Sequence, residues 1–128
     1  MNAFTPRNPA QLYTRNECAS VSGRVAEGRA FVKAARLLDA VARGEAGAAG
    51  REHALSYNRI LWTALQADLS APESRVPMVM RAKLLSLSLY VDRALLELRV
   101  SRARGPLETL IEINRNIAQG LLGVSADR

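Results

Sequence analysis

The chain has one cysteine, one histidine and two lysines in 128 residues, and aromatic side chains make up 5% of it. With Cys18 alone, neither an intramolecular disulfide nor a cysteine-rich zinc site can be assembled, and a free thiol suits a reducing compartment. His53, between Glu52 and Ala54 in a helical-looking stretch, has no cysteine nearby and no second histidine to share a metal. A solvated helix position is the expected setting for it. No run approaches the ~20 apolar residues needed to span a bilayer, and Met1 to Arg7 lacks the apolar centre of a signal peptide, so a cytoplasmic location is expected. Phosphate-cradling glycine motifs and a Gly-x-Ser-x-Gly elbow are missing too, which leaves dinucleotide binding and serine-nucleophile chemistry without their usual backbone. The carboxylates Glu52, Glu73, Asp92, Glu97, Glu108 and Glu112 fall on polar faces or at helix starts. The expectation is a protein that is no enzyme and needs no cofactor or metal.

What the chain does have is arginine: 16 of its 18 basic residues, for a net charge of +6 and a pI near 10.4. The excess is even, with seven basic and four acidic residues up to position 50 and eleven and eight after it. No segment reads as a dedicated polyanion arm. Hydrophobic residues make up 48% and charged residues 23%, the balance of one ordinary globular domain.

Apolar spacing is helical throughout, and no strand-type alternation or internal repeat is found. The reading is all-α: a single-domain bundle of four main helices plus a short N-terminal helical segment. Residues 1–19 are expected to be a loosely ordered N-terminal segment, with Ala10 to Asn16 able to form two turns. Residues 20–123 form the helical bundle domain and 124–128 a C-terminal tail. Ser20 and Ser22 are candidate N-caps for a first long helix to about Arg43 carrying Phe31, Ala34, Ala35, Leu38, Val41 and Ala42, with Gly28 weakening its middle. Gly44 to Gly50, with three glycines in seven residues, is expected to join helices. From Arg51 to Leu69 a stripe of Ala54, Leu55, Leu61, Trp62, Leu65 and Leu69 includes Asn58. Ser70-Ala71-Pro72-Glu73 has capping-box spacing before a helix from Pro77 to about Arg99. That helix carries one stripe at Met80, Leu84, Leu87, Val91, Leu95 and Leu98 and a second at Leu85, Leu89 and Leu96. Two apolar faces imply either a central helix or an exposed groove. Arg99, Arg102 and Arg104 fit helix-end electrostatics, and the last helix runs from Pro106 to Leu122 with Leu107, Leu110, Ile111, Ile117 and Leu121 around Asn114.

Asn58 and Asn114 sit in apolar stripes, where an unpaired amide costs roughly 1–3 kcal/mol. They need partners, either backbone groups, each other, or a bound peptide that Trp62 would also anchor.

Three stretches together resemble the flagellar regulator family FlaF: Tyr57-Asn58-Arg59-Ile60-Leu61-Trp62 with Leu65 and Asp68; Arg81-Ala82 with Leu85-Ser86-Leu87-Ser88-Leu89-Tyr90-Val91; and Ile111-Glu112-Ile113-Asn114-Arg115 with Ile117, Gly120 and Leu121. The likeness covers roughly Val25 to Leu122. Gly23 stands where the family often has a proline, and Tyr90 where it often has a tryptophan. The resemblance implies a cytoplasmic protein of flagellated alphaproteobacteria that promotes flagellin synthesis and export by binding flagellin as a secretion chaperone, opposite a companion regulator, FlbT. Carried over position by position, it points to Asn58, Leu61, Trp62, Leu85, Leu89, Asn114 and Ile117 as partner-binding residues. The alternative from charge alone is an RNA-binding activator engaging the flagellin transcript through Arg99, Arg102 and Arg104, although RNP-type aromatic strands and Gly-x-x-Gly clamps are missing.

Overall fold

The computed structural model describes residues 17–74 and 76–123. Among them are four helices and no strand: α1 (Glu17–Ala42), α2 (Gly47–Ser70), α3 (Met78–Val100) and α4 (Arg104–Leu122). The expected helical turns at 10–16 and the tail at 124–128 lie outside the described residues.

Each helix packs on its neighbours in sequence and α4 closes against α1, while α1 does not reach α3 across the diagonal. Links this short force neighbouring helices to alternate in direction. One end of the bundle therefore collects the end of α1, the start of α2, the end of α3 and the start of α4. The opposite end collects the start of α1, the end of α2, the start of α3 and the end of α4.

Helix boundaries correct three expectations. α1 is already helical at Glu17, so Ser20 and Ser22 lie inside it rather than capping it. The glycine-rich joint shrinks to the residues between Ala42 and Gly47, because Ala48 and Ala49 favour helix strongly enough to carry Gly47 and Gly50 with them. Gly44, at φ 73°, closes α1 in a Schellman turn: its N–H donates to Val41 O (3.0 Å) and that of Glu45 to Ala40 O (2.9 Å). The Ser70-x-x-Glu73 spacing caps nothing, since Ser70 ends α2 and Pro77 occupies the cap position of α3 without a side-chain bond. Instead the Ser74 hydroxyl accepts the Val76 N–H at 3.3 Å within the turn. Pro106 falls in the first turn of α4, where its missing N–H costs no helical bond.

The core joins Phe31, Ala35 and Leu38 of α1, Leu55 and Trp62 of α2, Val91, Leu95 and Leu98 of α3, and Leu107, Leu110 and Ile111 of α4. Phe31 meets Trp62 edge to face, with centroids 5.5 Å apart. Gly28 has a packing reason for its size: a Cβ there would stand 2.6 Å from Leu122 Cγ.

Arginines tie the first end together. Arg51, at the start of α2, donates to Leu98 O (2.6 Å) and Ser101 O (2.9 Å) at the end of α3. Arg104 donates to Ala42 O at the end of α1 (2.6 Å). Both cationic side chains satisfy terminal carbonyls that no helix bond reaches and sit at the negative pole of a helix. Arg51→Ala should lower stability by about 1–2 kcal/mol, seen as a lower urea midpoint at unchanged slope. An unchanged midpoint would show that water replaces the guanidinium at no cost.

Candidate functional site

At the other end, the described side chains do not close the bundle. Leu65 and Leu69 of α2, Met80 and Leu84 of α3, and Ile117 and Leu121 of α4 line a cleft of about 410 Å³, floored by Phe31 of α1 and bordered by Glu27 and Asp68. The opening arises on α3, whose first residue counted as buried is Ser88. Before it Met78, Val79 and Met80 are exposed and Leu84, Leu85 and Leu87 are only half-buried. Of the two expectations for a doubly apolar helix, the structure realises the groove: α3 is an edge helix, packed on α2 and more sparsely on α4.

The seven residues singled out from sequence divide sharply. Asn58, Trp62 and Asn114 are fully buried and form one network. Asn114 Nδ2 donates to Asn58 Oδ1 (2.7 Å), and Trp62 Nε1 donates to Asn114 Oδ1 (2.9 Å). Asn58 Nδ2 in turn donates to Ala54 O (2.9 Å) and Ala34 O (3.3 Å). The network ties α2 to α4 across the bundle and to the backbone of α1, and every amide and indole group in it is paired with protein. Leu61 is half-buried against the core, and Leu85 is half-buried on α3. Leu89 points to solvent, and Ile117 lines the cleft. Sequence reasoning placed Leu65, Leu69, Met80, Leu84 and Leu121 on apolar stripes but had no signal that they share one opening.

Two arginines of the cluster, Arg99 and Arg104, are engaged within the fold, while Arg102 is exposed. Arg99 Nη1 donates to Glu52 Oε1 (2.6 Å) and Nη2 to Ser56 Oγ (3.3 Å), while Arg104 pairs with Glu108 at 3.1 Å besides capping α1. The Ser56 hydroxyl, foremost, and then the Arg99 guanidinium hold the Glu52 carboxyl below its ordinary range. A depressed folded value contributes stability above the unfolded pKa and loses it as pH falls through the folded one. Glu52→Gln should accordingly remove a small acid-side slope from stability measured between about pH 3 and pH 7. A slope identical to that of the parent would mean that the pair is solvent-screened to nothing. His53 is exposed on the same helix, edge-on to the Tyr57 ring at 6.2 Å.

The family model described as flagellar protein FlaF matches residues 9–121. The chain belongs to the FlaF family. That span takes in all three stretches on which the sequence likeness rests, together with the network, the cleft and the arginine ties. No curated protein and no solved structure matches the chain. No described helix is long and apolar enough to cross a membrane.

Proposed function

We propose that this FlaF protein is a cytoplasmic flagellin-binding secretion chaperone that lays one apolar face of an amphipathic flagellin helix into the cleft between α2, α3 and α4. The observation that carries the reading is the opening itself, an apolar trough along α3 where a bundle of this length would otherwise finish its core. Its volume suits a few large side chains projecting from one helix, which is how helix-in-groove recognition takes its anchors. Holding such a helix shields flagellin from self-association, promotes its synthesis and export, and sets the protein in opposition to an FlbT-type regulator. Binding is the whole of the activity proposed.

Ile117 and its neighbours in the cleft are the contact residues in this reading. Asn58, Trp62 and Asn114 act from the core by holding α2 and α4 at the spacing that leaves the cleft open. Calorimetry with purified flagellin should show binding with a negative heat-capacity change, the mark of apolar burial. Binding confined to the flagellin transcript, falling steeply with salt, would overturn the proposal in favour of RNA recognition.

A further inference from the structure

The opposite side of α3 carries a second apolar surface, turned away from the cleft. Met78 is 77% exposed, Leu89 60%, Leu96 67% and Val100 85%. Ala82 and Val100 lie a whole number of helical turns apart, and Met78, Ser86, Leu89, Arg93 and Leu96 fall within half a right angle of the line joining them. This stripe runs the length of α3 and nothing among the described residues covers it, whereas Met80, Leu84, Val91 and Leu98 occupy the inward side. Isolated exposed leucines need no explanation, but an aligned row along a 23-residue helix does.

We infer that the outer face of α3 is the interface of a homodimer in which two copies of this helix pack antiparallel about a twofold axis beside Tyr90. The flanking charges choose the occupant, Arg93 being the one charge within the stripe itself. Lys83 and Glu97, both exposed, lie on the same flank of the stripe about four turns apart, at equal distances either side of Tyr90. Antiparallel pairing about that residue sets Lys83 of each copy against Glu97 of the other, giving two equivalent ion pairs. A parallel pairing would put the two charged flanks on opposite sides of the seam, and neither ion pair would form. The sizes agree with the charges. The same axis seats Leu96 of one copy between the small side chains Ala82 and Ser86 of the other, and brings the two Leu89 side chains together at the centre. A surface that meets itself in this way is the isologous kind that closes as a dimer.

The test is mass in solution, by sedimentation equilibrium over a wide concentration range. The wild-type chain should move from 13.9 kDa to twice that mass as concentration rises. Leu89→Glu with Leu96→Glu should remain monomeric with an unchanged helical spectrum, because both side chains leave the fold intact when replaced on an open face. Lys83→Glu alone should weaken the dimer roughly tenfold, and adding Glu97→Lys should restore it. A wild-type chain that stays monomeric up to about 500 µM, a dimer that survives the paired glutamates, or a charge swap that fails to restore association overturns the inference. The cleft lies on the other side of α3. Flagellin binding by the monomeric variant therefore separates the failure of this interface from the failure of the chaperone reading.

Discussion

Asn114→Leu should cost about 2–5 kcal/mol although leucine fills the same space, because it strands two fully buried polar groups at once. The Trp62 indole N–H loses its acceptor and Asn58 Oδ1 loses its donor. Against the ~5–15 kcal/mol that holds a domain of this size together, such a loss brings the variant near unfolding at physiological temperature. Urea denaturation reads it directly. The more searching comparison adds Trp62→Phe. Removing the stranded N–H should return part of the loss, so the double variant should be less destabilised than the sum of the singles by about 1 kcal/mol or more. Strict additivity would mean that the three side chains do not act as one network and that water reaches the site.

Ile117→Asp should weaken flagellin binding roughly a hundredfold, the scale of losing an apolar anchor at the centre of an interface. The new carboxylate replaces a methyl-rich wall and joins Glu27 and Asp68 around the same opening. It would therefore hold water in the cleft and deny the incoming helix an apolar anchor point. Ile117 also packs on the core, so some stability is lost with it. Met80→Asp supplies the control from the facing wall, since Met80 is already about half exposed and contributes little to folding. Titration calorimetry on both variants decides the matter. Wild-type affinity in both would remove the cleft from flagellin recognition.

Much of this fold is legible in the sequence because helical structure is written in short-range spacing. Phe31, Ala34, Ala35 and Leu38 recur at helical intervals and are all buried. The same logic flagged Asn58 and Asn114 as residues that must find partners, and they find each other. That Trp62 completes the pair was not legible. Its acceptor lies 52 residues away, and no local pattern encodes which residue of α4 faces which of α2. Arg51 is the same case: it reads as one more surface charge, yet it closes the end of a helix whose acceptor carbonyls lie 47 and 50 residues further on. The glycine joint was overestimated because composition counts glycines without weighing the alanines between them. The two apolar faces of α3 were visible, but which of them packs on α2 and α4 is set by long-range contacts, and spacing within α3 carries no information on that.

The arginine ties at one end of the bundle and the unfinished packing at the other divide the chain's tolerance for substitution. Changes near Arg51 and Arg104 act on the stability of the fold, since they unmake bonds that join the four helix ends gathered there. Changes along the first turns of α3, where no side chain before Ser88 is fully buried, would on the proposed function act on what the protein holds more than on the fold. On the function proposed above, recognition could drift to follow a changing partner sequence with little draw on the stability of the scaffold, because the two properties would reside at opposite ends of the same four helices.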